Sequence, residues 1–390
     1  MSSTIIASRV LTLSDFGTIS LLLAAATFVA AVLDFGSTIY VRKHSRTFLM
    51  GSRLRVRRAL GATAIDIAAR GLAVLLVLVM LALAVRAYPD KWLYVLVAPI
   101  GMGFAFELLL SETLRSRRWF VTAEFVAGGM RQSIYIVVLV IAAMTGLTIA
   151  PLATLYAAAM VLSTAAALTF GAKARLPPYF WRRVQISRPR VAERFRFFIV
   201  GALNILLNQT PLLLAGVMSS VETAGVVRVS LVFGMVMQLG VGSLAMYYSP
   251  RIGRGSLSEV QQVARQSSRI GLIGLPVAGI GIILVPPVIY MLFGSDFKEA
   301  VLGAQVLIAT YGLISIFGAY GQIVLLRGGE WVAILSVIVS LCVTALLALV
   351  LVPHLPVTGY AMAYAGGLMT SYVIAALVGP RAVAVRPGPF

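Results

Sequence analysis

Eleven apolar stretches, each about as long as a bilayer is thick, recur along the chain and leave little room for any other kind of structure. They fall at 16–41, 60–86, 92–112, 121–146, 150–170, 196–217, 226–249, 269–293, 300–325, 331–353 and 357–379, with a fragment at 1–10. A helix needs about 20 apolar residues to cross hydrocarbon. The runs lack the apolar–polar alternation of barrel strands, so they predict helices. With 60% hydrophobic and 12% charged residues and a mean hydropathy of +0.98, the chain is far more apolar than a soluble domain. The fold class is therefore an all-α polytopic membrane protein.

The net charge of +19 would suggest nucleic acid in a soluble protein, but here it belongs to loops facing anionic lipid, and no nucleic-acid partner is expected. If the spans alternate sides and the C-terminus is cytoplasmic, 25 of the 32 Lys and Arg residues lie in inside loops. The outside loops keep Arg9, Arg86, Lys91 and Lys298. That asymmetry fixes the expected orientation. Its densest element is a basic connector, 173–195, between an N-terminal lobe (1–172) and a C-terminal lobe (196–390). Cysteines introduced at Ser45 and Ser187, with Cys342 first replaced, are expected to be shielded from an impermeant thiol reagent in intact cells. One at Thr223 is expected to react; labelling at Ser187 from outside would overturn the map.

Other chemistries have little to work with. Two histidines, His44 and His354, and one cysteine, Cys342, offer no metal cluster, disulfide or Ser/His/Asp hydrolytic set. Neither an enzyme nor a cofactor is expected.

The two halves repeat. The stretch from Ser14, SDFGTISLLLAAATFVAAVLDFGSTIYVRKH, parallels that from Glu222, ETAGVVRVSLVFGMVMQLGVGSLAMYYSPRIG, with Gly17 falling on Gly225 at an offset of 208. The same offset carries Tyr156 onto Tyr364 and Ser163 onto Ser371. Six spans per repeat is an even number, so two six-helix lobes would be related by an axis along the membrane normal, with a path between them. The partner of segment 196–217 would begin before Met1, so the first helix is mostly missing and about 11 complete spans are expected. A further 15 to 25 or so residues upstream would complete it.

Several pieces resemble the polysaccharide biosynthesis (O-antigen flippase) proteins of the multidrug/oligosaccharidyl-lipid/polysaccharide exporter superfamily. They are RVLTLSDFGTISLLL with LDFGSTIYVRK, SSVETAGVVRVSLVFGMVMQLG, MYYSPRIGR, MLFGSDFKEAVLGAQVLI and LVPHLPVTGYAMAYAGGLMTS. Together they cover most of the chain in family order. The resemblance implies a twelve-helix transporter of the cytoplasmic membrane that flips a polyprenyl-pyrophosphate-linked oligosaccharide by alternating access. Its partners would be that glycolipid, membrane lipids, and glycosyltransferase and polymerase proteins of the same pathway.

Ionisable groups inside a bilayer are costly and by default face a cavity or a partner. They concentrate in the N-terminal half: Asp34, Asp66, Arg70, Glu107, Glu124 and Arg131, against Arg228 in the C-terminal half. Asp66 and Arg70 share a helix face at i, i+4, and Glu124 and Arg131 lie two turns apart. These pairs either neutralise each other or leave guanidinium forks free for a pyrophosphate. Arg42, Arg70, Arg131 and Arg228 are the candidate substrate-binding residues. Asp34, Asp66, Glu107 and Glu124 are the candidates for ion coupling, with Asp34 and Glu107 left without a basic neighbour. Gly101, Gly103, Gly128, Gly129, Gly279 and Gly281 read as packing positions, and Pro276, Pro286 and Pro287 mark a span prone to bend.

Two other classes compete. An ion-coupled multidrug or cation exporter of the same superfamily suits the excess of acids, and a non-transporting scaffold of a polysaccharide assembly complex suits the shortened start. A membrane-embedded glycosyltransferase is disfavoured, because the outer loops are too short to hold a sugar site.

Overall fold

In a computed structural model of the chain, the described residues are 2–38, 53–84, 91–116, 122–123, 125–173, 189–254, 256–327 and 329–385, and every regular element among them is helical. Hydrocarbon offers no partner for a free backbone N–H or C=O, which is why each apolar run closes its own hydrogen bonds. Among the described residues, eight helices are long and apolar enough to cross a membrane, so the protein is multi-pass. The connector at 174–188 lies outside the described residues, as do Arg42 and Glu124.

The chain forms two compact units, Leu22–Ile205 and Ser3–Leu21 with Leu206–Phe390. Helix α1 (Ser2–Val10) and the start of α2 (Leu13–Asp34) belong to the second unit; the first holds the rest of α2, then α3 (Arg53–Ala84), α4 (Lys91–Val95), α5 (Val97–Ser116), α6 (Met130–Thr145) and α7 (Ile149–Lys173). Helix α5 is central because its small residues let neighbours approach: a Cβ on Gly101 would lie 2.9 Å from the Ala26 carbonyl oxygen of α2. One on Gly103 would lie 3.2 Å from Met160 Cε of α7, and Gly71 of α3 meets Met102. Both glycines of α5 therefore act in packing.

A five-residue π-helix, Phe125–Gly129, runs straight into α6. Its wider turn rotates everything after it relative to everything before it, a device found mostly at functional sites. The first residues carried past it are Met130 and Arg131. Helix α6 ends at Gly146, whose φ of 65° permits the left-handed cap, with its N–H bonded to the Ala142 carbonyl at 2.9 Å.

The second unit contains the remainder of α8 (Pro189–Met218), then α9 (Val221–Arg254), α10 (Leu257–Gly271), α11 (Gly274–Leu292), α12 (Ala300–Ile314), α13 (Tyr320–Leu326), α14 (Glu330–Leu351) and α15 (Thr358–Val385). The apolar run at 300–325 is not one helix. A 3-10 turn, Ser315–Phe317, interrupts it, and the Ser315 hydroxyl donates at 2.6 Å to the carbonyls of Gly271 and Gly312. Pro286 and Pro287 stand inside a continuous α11. Helix α10 is amphipathic: a Ser256–Glu259 capping box starts it, and Val260, Val263 and Ala264 pack on Tyr248, Ile252, Ala319 and Ile323.

Arg9 fastens the end of α11. Its Nε and one terminal nitrogen donate to the carbonyls of Leu292 and Met291 at 2.8 and 2.7 Å, satisfying two of the four acceptors a helix leaves open at its C-terminus. Phe16, Phe293 and Phe297 stack edge to face beside it, with centroids 5.8 and 5.9 Å apart. Because Arg9 is exposed, the expected loss for Arg9→Ala is modest, about 1 kcal/mol, read as a few degrees lower melting temperature in detergent.

Candidate functional site

The charged groups of the unit Leu22–Ile205 sort into three settings. The first is local. Asp34 ends α2, Phe35 and Gly36 follow with φ of 47° and 72°, and the chain turns back so that both Asp34 carboxylate oxygens accept from the Thr38 backbone N–H at 3.1 and 3.2 Å. The Thr38 hydroxyl donates to the same carboxylate at 2.7 Å. Asp34 is buried at 7% exposure, and a threonine four residues on is among its partners. LDFGST is thus a turn motif in which the acid closes the backbone. Asp34→Asn keeps an acceptor for Thr38 and is expected to retain transport, whereas Asp34→Ala is expected to cost about 1 kcal/mol of stability. Loss of transport in the asparagine variant at normal protein levels would return Asp34 to an ion-coupling role.

The second setting is the pair foreseen from spacing. Asp66 and Arg70 meet at 3.4 Å on α3, each about a third exposed. Arg70 also donates to the Leu33 carbonyl at 3.1 Å and lies over the Phe35 ring at 4.5 Å. Phe35 in turn stacks on Phe198 of α8 with centroids 5.1 Å apart. The cation thus serves the C-terminal end of α2, where the helix dipole is negative, and its fork is already occupied.

The third setting differs. Arg131, just after the π-helix, is half-buried, and its guanidinium carbon lies 4.6 Å from the centroid of Phe104 on α5, a cation–π contact. Among the described residues its nitrogens make no hydrogen bond and no ion pair. One turn along α5 from Phe104 is Glu107, 2% exposed, both of whose carboxylate oxygens are buried without a hydrogen bond among the described residues. Arg131 acts electrostatically on Glu107 and on buried Tyr156 of α7. Tyr156 packs edge to face on Tyr135 of α6 at 5.1 Å. The cation, the carboxylate and two tyrosines thus come from three helices.

Unlike Arg70, Arg131 has not spent its donors. Spacing paired it with Glu124, which lies outside the described residues; Glu107 is the acid it senses among the described ones. Phe104, Tyr135 and Tyr156 were not identified as site residues. Only Tyr156 carried a signal, its match to Tyr364 across the repeat. Arg228 sits half-buried on α9 in the other unit. A further ion pair, Glu112 with Arg115, closes on α5 itself.

No family model and no curated protein sequence matches the chain. Solved structures do. A MATE crystallised in complex with MaL6 superposes with a TM-score of 0.74 at 13% identity, covering 98% of this chain and 91% of that one. A mutant of the Vibrio cholerae MATE transporter VcmN gives 0.61 at 15%, covering 99% of both. The lipid II flippase MurJ, in an inward closed conformation, gives 0.63 at 12%, covering 99% and 87%. The chain therefore has the two-lobe all-helical fold of these proteins.

Proposed function

We propose that the protein is a flippase of the exporter superfamily to which MATE transporters and MurJ belong, moving a polyprenyl-pyrophosphate-linked oligosaccharide across the cytoplasmic membrane by alternating access. Its C-terminus is cytoplasmic, and its two lobes are the moving bodies. The observation that carries this reading is Arg131: a half-buried guanidinium over Phe104 with every N–H unspent among the described residues. A half-buried cation is costly without an anion; Glu107 interacts with it electrostatically but takes none of its N–H groups, which leaves its planar fork for a diphosphate. Arg42 and Arg228 are assigned to the same anion's path. No covalent step is involved, and the fold's likeness to a MATE and to MurJ supports transport.

A second reading rests on a specific feature. Glu107 is a buried carboxylate without a hydrogen-bond donor, and it could bind a cationic drug or exchange an ion with the cytoplasm. In the flippase reading Glu107 drives the cycle instead, by taking up and releasing an ion as the lobes alternate. Depletion in the native host separates the two. A flippase predicts that lipid-linked oligosaccharide builds up on the cytoplasmic face with no change in the accumulation of a cationic dye. A rise in dye accumulation with normal glycolipid turnover would establish the exporter.

A further inference from the structure

We propose that the unit formed by Ser3–Leu21 and Leu206–Phe390 holds a neutral, donor-rich subsite for a sugar oxygen, built on Asn208 and Gln238. This rests on the flippase reading for its substrate and adds the glycan's place of recognition. A narrow cavity there is lined by Asn208 of α8, Gly234 and Gln238 of α9, Tyr311 of α12 and Tyr364 of α15, with Leu231, Met235 and Leu307 as its apolar walls. All of these residues lie within helices apolar enough to span the membrane. No lining residue is charged. Such a site supplies no formal charge to pair with a phosphate or a drug cation.

The hydrogen bonds give the cavity a direction. The Tyr364 hydroxyl donates to Asn208 Oδ1 at 2.6 Å, so its only proton is committed. Tyr311 and Tyr364 hydroxyls are 3.1 Å apart, and Tyr311 must therefore be the donor of that pair. The relay Tyr311 to Tyr364 to Asn208 fixes the amide's orientation, because the acceptor end of Asn208 is taken. Both Nδ2 protons are left to donate, and none has a partner among the described residues. The Gln238 amide across the cavity likewise makes no hydrogen bond among the described residues. Tyr311 and Tyr364 are each 2% exposed, so the relay is rigid. Gly234 keeps the opposite wall close: a Cβ there would stand 3.2 Å from Leu307 Cβ and from Tyr311 Cε2.

Amide donors on a preset relay, framed by apolar walls, suit a ligand that is rich in oxygen acceptors and uncharged. A hexose hydroxyl or an acetamido carbonyl has that chemistry. Across the internal repeat Tyr364 corresponds to Tyr156, which packs on Tyr135 and lies within the electrostatic reach of Arg131 and Glu107 in the other unit. One tyrosine position therefore serves a charged site in one unit and a neutral site in the other.

The test uses full-length purified protein in lipid nanodiscs and two probes, polyprenyl pyrophosphate alone and the same lipid carrying one N-acetylhexosamine. Wild type is expected to bind the glycosylated probe more tightly. Asn208→Leu, similar in volume but without donors, is expected to weaken the glycosylated probe about tenfold, the scale of one or two lost hydrogen bonds, and to leave the bare lipid within about twofold. Tyr364→Phe leaves Asn208 in place but frees its amide, and a smaller loss in the same direction is expected. Equal binding of both probes by wild type, or equal weakening of both by Asn208→Leu, would overturn the subsite while the flippase reading stands. Binding of neither probe by wild type would overturn both.

Discussion

Replacing Arg131 by glutamine is expected to stop transport while the protein still inserts at normal levels. The guanidinium is half-buried over Phe104 and uncommitted among the described residues, so the substitution removes the proposed anion site without stripping a described neighbour of a hydrogen bond. Losing one partner of a desolvated, charge-assisted contact costs about 2–5 kcal/mol, a rate effect of roughly thirtyfold to several thousandfold. Arg131→Lys is expected to retain part of the activity, because the charge stays and the bidentate fork is lost. The competing account makes Arg131 a counter-charge for Glu107, or for Glu124. In that case the double variant Arg131→Gln with Glu107→Gln, or with Glu124→Gln, would restore transport, since no unpaired charge stays buried. The readout is accumulation of unflipped lipid-linked oligosaccharide in cells carrying each variant. Rescue by either double variant would remove Arg131 from the substrate site.

Gly367→Val is expected to abolish folding. Helices α14 and α15 meet along a seam of small residues: buried Ser336, Ser340 and Thr344 on one side, Gly359, Gly366 and Gly367 on the other. Each hydroxyl on α14 bonds back to its own helix, Ser340 to the Ser336 carbonyl at 2.7 Å and Thr344 to the Ser340 carbonyl at 2.8 Å, which leaves a flat face for close approach. A Cβ on Gly367 would stand 2.0 Å from Thr344 Oγ1 and 2.7 Å from the Ser340 carbonyl oxygen. The second contact is backbone and cannot swing aside. Overpacking costs up to about 3 kcal/mol where side chains can give and more where they cannot. Gly240 is the control, for nothing lies within 4 Å of a Cβ built there. Gly240→Ala should melt no lower than wild type, because alanine favours the helix by up to about 1 kcal/mol. Unchanged yield and melting for Gly367→Val would show that the seam is looser than described.

What could be read from the sequence follows a physical divide. Hydropathy located the spans because lipid solvation acts on each helix separately, and charged residues stood out because each is anomalous in an apolar run. Pairing within one helix was legible too, and Asp66 with Arg70 met as their spacing required. Spacing could not show that Arg70 would spend its fork on the Leu33 carbonyl. That contact depends on how α3 lies against α2. The π-turn before Arg131 left no mark beyond two adjacent glycines. The relay of Tyr311, Tyr364 and Asn208 joins residues 53 and 156 positions apart, and uncharged groups in apolar helices give hydropathy nothing to register. Asp34 shows where reading by spacing stops. Its partner was four residues away in LDFGST, but the turn that brings Thr38 back depends on the positive φ of Phe35 and Gly36.

The central claim is that the protein itself moves a pyrophosphate-linked glycolipid between leaflets. Purified protein reconstituted in liposomes containing polyprenyl-pyrophosphate-linked oligosaccharide allows that movement to be followed directly, by adding a membrane-impermeant glycosidase and measuring the fraction of glycan cut with time. In protein-free liposomes about half should be cut and the rest should stay protected. With wild-type protein the protected half is expected to become accessible, and with Arg131→Gln it is expected to stay protected. A protected half that persists with folded, correctly inserted wild-type protein under an imposed ion gradient of either sign would contradict the account.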